Sequence, residues 1–191
     1  MVDFILASGS PRRKDLLLGK CYKFRVEPAG IDEWPPGTFP FHQLCEENAA
    51  LKAGEVSAKY PKEVVLGADT LVGLEGEVMG KPGDLGEAAC MLARLSGRVH
   101  EVCTGVCLRR GEEKYSFFEV SRVRFRDLNR LLIEDYLGRV NVLDKAGAYA
   151  VQEHGEMLVD QLEGAYDNVV GLPMSEVSKG LARFGVAPLK S

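Results

Sequence analysis

No stretch of this chain approaches the roughly 20 apolar residues that a membrane-crossing helix needs. The apolar run near the amino terminus, Phe4 to Ala7, is also too short for a secretory signal. Cys21, Cys45, Cys90, Cys103 and Cys107 are odd in number and form no C-x-x-C pair, so neither a disulfide framework nor a zinc ribbon is encoded. Cys45 and Cys90 fall in helical patterns, and Cys103 and Cys107 share one face of a strand pattern. The expectation is buried free thiols. Free thiols without an export signal point to the cytoplasm. His42, His100 and His154 lie far apart and lack zinc-ligand spacing. An excess of positive charge is missing too: 24 Lys and Arg against 28 Asp and Glu leave a net charge of −4. That argues against binding along a nucleic-acid backbone, while leaving room for a small basic pocket that takes a phosphorylated metabolite.

The common nucleotide and hydrolase motifs are absent as well. Gly80-Lys81 invites a P-loop reading, but Glu75 stands where glycine is required and Pro82 follows the lysine. No G-x-G-x-x-G follows a strand pattern, and there is no G-x-S-x-G nucleophile elbow.

What is present is an ordinary globular balance: 46% hydrophobic and 27% charged residues over 191 positions. A chain of this length buries about 70% of its unfolded surface and needs no metal or disulfide to hold together. The patterns predict a strand over 2–7, then a helix capped by Ser10, opened by Pro11 and ended at Gly19. They continue with a strand over 22–26, a proline-rich loop over 27–40 and a helix over 41–60. A buried strand over 64–72 follows, then turns at 73–76 and 80–83. A capping box of Asp84 and Glu87 opens a helix to Leu95. Strands over 99–108 and 114–125 meet at a Gly111 turn. A helix over 127–137 presents Leu128, Leu131, Leu132 and Tyr136 on one face. Short strands are expected at 147–151 and 157–159, and a last helix from Pro173 to Phe184. With neither repeat nor linker, the expectation is a single α/β domain over 1–191, with a mixed sheet, two lobes and a central cleft.

Among residues able to carry chemistry, the run Ala7-Ser8-Gly9-Ser10-Pro11-Arg12-Arg13 stands first. A strand gives way to a helix start, where free amides and the helix dipole favour anions, and adjacent arginines add donors suited to phosphate. The same run also reads as a plain capped helix with two solvated arginines. Asp69-Thr70 interrupts an apolar strand, so its carboxylate must be paired, metal-bound or at a strand end. Lys52, Lys81 and Lys145 each read alone as surface lysines, Glu33 as a solvated loop acid, and Gln152 as a strand-end or exposed amide. Asn168 reads as a turn residue.

Taken in order, LASGSPRR at 6–13, IDE at 31–33, GADTLV at 67–72, GKPGD at 80–84, SGRVHEVCTGV at 96–106, DKAGAYAVQ at 144–152 and YDNVVGLP at 166–173 resemble the Maf family of nucleoside triphosphate pyrophosphatases. The resemblance implies a two-lobed fold like that of the inosine triphosphate pyrophosphatases. It implies a hydrolase that cleaves between the α- and β-phosphates, giving a nucleoside monophosphate and pyrophosphate with a divalent cation, Mg²⁺ or Mn²⁺. Asp69 would then be the catalytic base, with Ser8, Arg13, Lys52 and Lys81 binding phosphate, and Glu33 and Asp69 binding metal. Arg12, Thr70 and Gln152 match the positions that set base preference in the dTTP and UTP branch. A Gln amide carries both a donor and an acceptor, which complements the uracil or thymine edge. The chain departs at Glu153, where the family usually has glycine, and at Val142-Leu143, which stand where Glu-Pro is expected. The expected partner is a nucleoside triphosphate, with neither nucleic acid nor membrane. Family members often form dimers, which makes a homodimer one assembly open to this chain. Two alternatives carry different expectations: a nucleotide-binding regulator of septum formation, and a house-cleaning pyrophosphatase for inosine or xanthosine triphosphate.

Overall fold

The computed structural model describes residues 3–189. Its elements run β1 (Phe4–Leu6), α1 (Pro11–Gly19), β2 (Phe24–Val26), α2 (Phe41–Lys59), β3 (Val65–Leu74), β4 (Glu77–Met79), α3 (Leu85–Leu95), β5 (Val99–Arg110), β6 (Glu113–Phe125), α4 (Arg130–Arg139), β7 (Val159–Glu163), α5 (Tyr166–Val170) and α6 (Met174–Arg183). The strands form one mixed sheet in the order β2–β1–β3–β5–β6–β7, with β4 paired to β3. The α/β class is as the alternation of helix and strand patterns implies. Val2, part of the first expected strand, lies outside the described residues. Among the described residues no helix is long and apolar enough to cross a membrane.

By its internal contacts the chain falls into two compact units. The first takes the chain through Asp69, then Thr104–Glu119 and everything from Gly171 on; the second takes Thr70–Cys103 and Val120–Val170. In the first unit β1 runs parallel to both β2 and β3, with Phe4 opposite Phe24 and Ile5 opposite Val65. Parallel strands are buried on both faces, which is why β1 and the start of β3 are unbroken apolar runs. One core layer joins Phe4, Leu6, Leu66 and Leu108 to Leu172, Val177 and Leu181. The other sets Ile5, Val65 and Cys107 against Ala49, Ala53 and Val56 of α2. That second contact is unusually close. A methyl on Gly67 would lie 2.4 Å from the Ala49 carbonyl oxygen, and one on Gly105 would lie 2.2 Å from the Cys45 backbone. Alanines on the helix and glycines on the strands let the two backbones approach.

The second unit packs Val72, Leu92, Leu95, Val123, Phe125, Ile133 and Tyr136 into its own core. Asp84 accepts the Glu87 N–H at 2.8 Å and so caps α3, but the Glu87 carboxylate takes the Gly83 N–H rather than that of the cap itself. The reciprocal box is displaced by one residue. The Ser10 cap does not form: no side-chain bond closes the start of α1, and the Ser10 N–H turns to Ser8 Oγ instead. The helix expected from residue 127 begins at Arg130, because Asn129 Oδ1 takes the Leu132 N–H at 2.9 Å. Within the helix Leu131 is 76% exposed, while Ile133 and Tyr136 are buried. No strand forms at 147–151, where Gly147 and Ala148 adopt φ of 68° and 60°, outside the extended region. The strand expected at 157–159 forms later, as β7. All five cysteines are free, but Cys21 and Cys90 are exposed rather than buried.

His100 lies buried in the second unit. Its Nε2 is 2.8 Å from the Tyr149 hydroxyl, and its ring meets Phe125 and Tyr149 edge-on. Burial pushes its pKa down to about 4. The folded protein therefore resists a proton that the unfolded chain accepts near 6.5. His100 leaves stability intact above that range and subtracts from it as pH falls towards 4. At about 1.4 kcal/mol per tenfold difference in proton affinity, the loss amounts to roughly 3 kcal/mol.

Two outcomes are expected. Gly105→Ala should lower the urea-unfolding free energy by about 3 kcal/mol, whereas Gly138→Ala, with open space beside it, should leave it unchanged or raise it by about 0.5 kcal/mol. Equal effects would show that α2 does not pin the strands. Thermal unfolding followed between pH 7 and pH 4 should show a steeper loss in wild type than in His100→Gln. Parallel curves would remove His100 as the proton-sensitive group.

Candidate active site

The chain leaves β1 through Ala7-Ser8-Gly9-Ser10 and enters α1 at Pro11, whose missing N–H would have had no helical partner. This turn places Arg13 on the inner side of α1. Its Nε donates to the Gly171 carbonyl, and one Nη donates to Ser8 Oγ and to the Ala68 carbonyl, all at 2.9 Å. Arg13 is thus a buried cation binding the Ser8 turn to the strand just before Asp69. Burial lowers its pKa from the usual value, the Asp69 charge opposes that, Arg12 adds to it and Glu33 opposes it in turn.

Asp69 sits on β3 at 5% exposure. Lys52 Nζ donates to its Oδ1 at 2.7 Å, and Asn48 Nδ2 donates to its Oδ2 at 3.1 Å. Both donors come from α2, one helical turn apart, where positions i and i+4 share a face. A buried carboxylate needs this kind of partnering, since leaving it unpaired costs several kcal/mol. The Lys52 ammonium also meets Glu33 Oε1 at 2.6 Å, and the Glu33 side chain is 44% exposed. Asn48 Oδ1 accepts the Trp34 backbone N–H at 2.8 Å. The loop carrying Glu33 is therefore fastened to α2 twice. Ser8, Arg13, Glu33, Lys52 and Asp69 are brought into one neighbourhood by these bonds and charges, and Asn48 joins them unforeseen. Asn48 stands one helical turn before Lys52 on α2, and no periodic or compositional signal in the sequence distinguishes it.

Arg12 is half-buried on α1, and Thr70 follows Asp69 on β3, also half-buried. Lys81 and Gln152 belong to the second unit and are exposed. The Lys81 turn is tied to the 144–148 segment by the Gly147 N–H donating to the Gly80 carbonyl at 3.0 Å. Lys145 is not a surface lysine: it is buried, bonded to the Asn141 carbonyl and Asp144, with Glu153 at 3.5 Å. The Glu153 carboxylate also stands 3.5 Å from Gln152 Nε2. The Tyr136 hydroxyl takes the Ala150 N–H at 3.0 Å and steadies this segment from α4, and burial pushes its pKa up to about 12. Asn168 is buried in α5 rather than a plain turn residue, donating to the Val102 carbonyl and to Ser121 Oγ.

Two carboxylates around one ammonium can accept a proton from water and can also ligate a hard cation through oxygen. No group of three or more His, Cys, Asp or Glu side chains that could hold a metal ion gathers among the described residues, so the oxygen donors here are these two carboxylates.

A family profile described as Maf-like protein matches residues 3–184. A protein of Akkermansia muciniphila named dTTP/UTP pyrophosphatase is 45% identical over 181 residues, 95% of this chain and 96% of its own length. One of the same name from Pyrococcus furiosus is 39% identical, covering 94% of each chain. Among solved structures, the Ham1 protein of Staphylococcus aureus aligns over 95% of this chain and 98% of its own, with a TM-score of 0.58 and 15% identity, which speaks for the fold alone. The profile takes in every candidate residue from Ser8 to Gln152 and the strands and helices that carry them, so the chain belongs to the Maf-like protein family.

Proposed function

We propose that this protein hydrolyses nucleoside triphosphates, dTTP and UTP by preference, between the α- and β-phosphates. The observation that carries the reading is the Lys52 ammonium held between the Asp69 and Glu33 carboxylates. The names borne by the relatives at 39–45% identity support the substrate class.

Asp69 is the proposed base. One of its oxygens takes a proton from the attacking water as the water oxygen bonds to the α-phosphorus. The bond from that phosphorus to the bridging oxygen breaks, and pyrophosphate leaves with the electron pair. Lys52 pairs with the carboxylate and adds positive charge. Arg13 adds its own from beneath Ser8, and Ser8 and Lys81 complete the proposed phosphate contacts. The oxygen donors of Glu33 and Asp69 fit Mg²⁺ or Mn²⁺, since Mg²⁺ commonly takes one or two carboxylates and fills its remaining positions with water and substrate oxygens. When bound there, such an ion would neutralise charge on the phosphate oxygens. Arg12, Thr70 and Gln152 are the proposed readers of the base. A Gln amide set against the N–H and carbonyls of a pyrimidine leaves unpaired groups when the base is a purine.

Purified protein with Mg²⁺ and a panel of UTP, dTTP, CTP, ATP, ITP and XTP tests this. Pyrophosphate and monophosphate should appear in equal amounts, fastest from dTTP and UTP. Release of inorganic phosphate alone would place the cleavage elsewhere, and faster ITP or XTP turnover would overturn the base preference. Asp69→Asn should lower kcat by about 10²- to 10⁴-fold with an unchanged circular dichroism spectrum. Wild-type rates in that variant would remove Asp69 as the base.

A further inference from the structure

The geometry points to Asn48 as a positioning residue: its one amide fixes the Asp69 carboxylate and the Glu33-bearing loop in a single arrangement. The inference rests on the reading of Asp69 as base.

Asn48 is 1% exposed, so each of its polar atoms must find a protein partner. Its orientation is set by the backbone. The Trp34 N–H can only donate, so the atom facing it at 2.8 Å must be Oδ1. Nδ2 is then obliged to face Asp69, and it donates to Oδ2 at 3.1 Å. Lys52 holds Oδ1 of the same carboxylate at 2.7 Å. With a donor on each oxygen, the carboxylate plane is clamped against rotation about its terminal bond. Lys52 alone would leave it free to swing, because an ammonium is a point charge without directional preference. The planar Asn amide supplies the direction.

The other end of the amide serves the loop. Residues 27–40 contain no helix or strand, and Glu33 is partly exposed. The Asn48–Trp34 bond anchors this segment by its backbone, so Glu33 returns to Lys52 without a search among loop conformers. The charged groups around the clamp are Lys52 of α2, Glu33 of the loop, Asp69 itself, and Arg13 and Arg12 of α1. Asn48 is the uncharged member, and it links two of them without altering the balance.

Trp34 is the only tryptophan in the chain, so fluorescence excited selectively at tryptophan reports on this loop. Three variants separate the two ends of the amide. Asn48→Leu keeps the branched shape and removes both bonds. Asn48→Asp keeps the acceptor for Trp34 and replaces the amide donor with a carboxyl that competes with Asp69 for one proton. Asp69→Asn with Asn48→Leu completes a double-mutant cycle. In Asn48→Leu, Trp34 anisotropy should fall and acrylamide quenching should rise, and kcat should drop by about 10- to 100-fold with KM for UTP changed less than about threefold. Asn48→Asp should keep the wild-type anisotropy yet lose turnover. In the Asp69→Asn background, adding Asn48→Leu should change the residual rate less than about twofold, because the group it positions is already gone. Multiplicative losses there would show a merely structural residue and overturn the inference. If the variants fail to fold, the wild-type Trp34 amide decides: hydrogen exchange slowed at least about tenfold against an open loop supports the clamp, and unprotected exchange overturns it. Failure of wild type to release pyrophosphate would instead strike the proposed reaction and leave the anisotropy and exchange results standing.

Discussion

The first unit depends on keeping one carboxylate, Asp69, inside an apolar strand. An ionised acid in that place is tolerable only with partners that reach it through the core, and both side-chain partners come from α2. Short donors such as Asn48 reach Asp69 only if the helix lies against the sheet. That closeness is written in small residues: Gly67 and Gly105 on the strands, Ala49 and Ala53 on the helix. A methyl at either glycine would collide with helix backbone, which cannot rotate away as a side chain can. Packing and electrostatics are therefore one constraint. Moving α2 outward by an ångström would loosen the core and strand the charge together.

Much of this was readable from the chain, for a physical reason. A polar pair inside Val64-Val65-Leu66-Gly67-Ala68 contradicts its surroundings, and contradictions of local preference mark sites where something else supplies the energy. Asp69 stood out on that ground. Lys52 and Asn48 did not, because polar side chains on a helix are ordinary, and only the tertiary packing says which face turns inwards. Arg13 illustrates the same limit differently. Spacing alone left it between phosphate binding and a solvated surface; the structure shows it buried, with its Nε and one Nη directed at protein oxygens.

The start of α4 and the segment at 147–151 depart from their sequence patterns for local reasons. Asn129 caps α4 through the Leu132 N–H, and the helix buries Ile133 and Tyr136 while Leu131 faces solvent. The run Gly147 to Val151 looked like a strand by composition, yet Ala148 holds a left-handed conformation that few non-glycine residues accept. The segment is bought by bonds that span sequence: the Tyr136 hydroxyl on the Ala150 N–H, the Gly147 N–H on the Gly80 carbonyl, and Tyr149 against His100. None of these leaves a periodic trace. They hold Lys145 and Gln152 on a rigid backbone, and Glu153 then places a carboxylate beside both. Glu153 is thus a charged neighbour of a proposed base-reading amide.

The charge balance of the first unit bears on how a triphosphate would be met there. Lys52 and Arg13 are matched by Asp69 and Glu33, and Arg12 adds one further positive charge nearby. Such a paired network is stable when empty, which a buried cluster of bare cations would not be. It is also insufficient for a polyanion, whose charge must be offset by groups that are not already spent on one another. In the proposed reaction that surplus would come from outside the network, from a divalent cation that the oxygens of Glu33 and Asp69 would hold. On that reading the arrangement would separate two demands that conflict within one cluster, holding the proposed base in the free protein and neutralising the substrate during turnover.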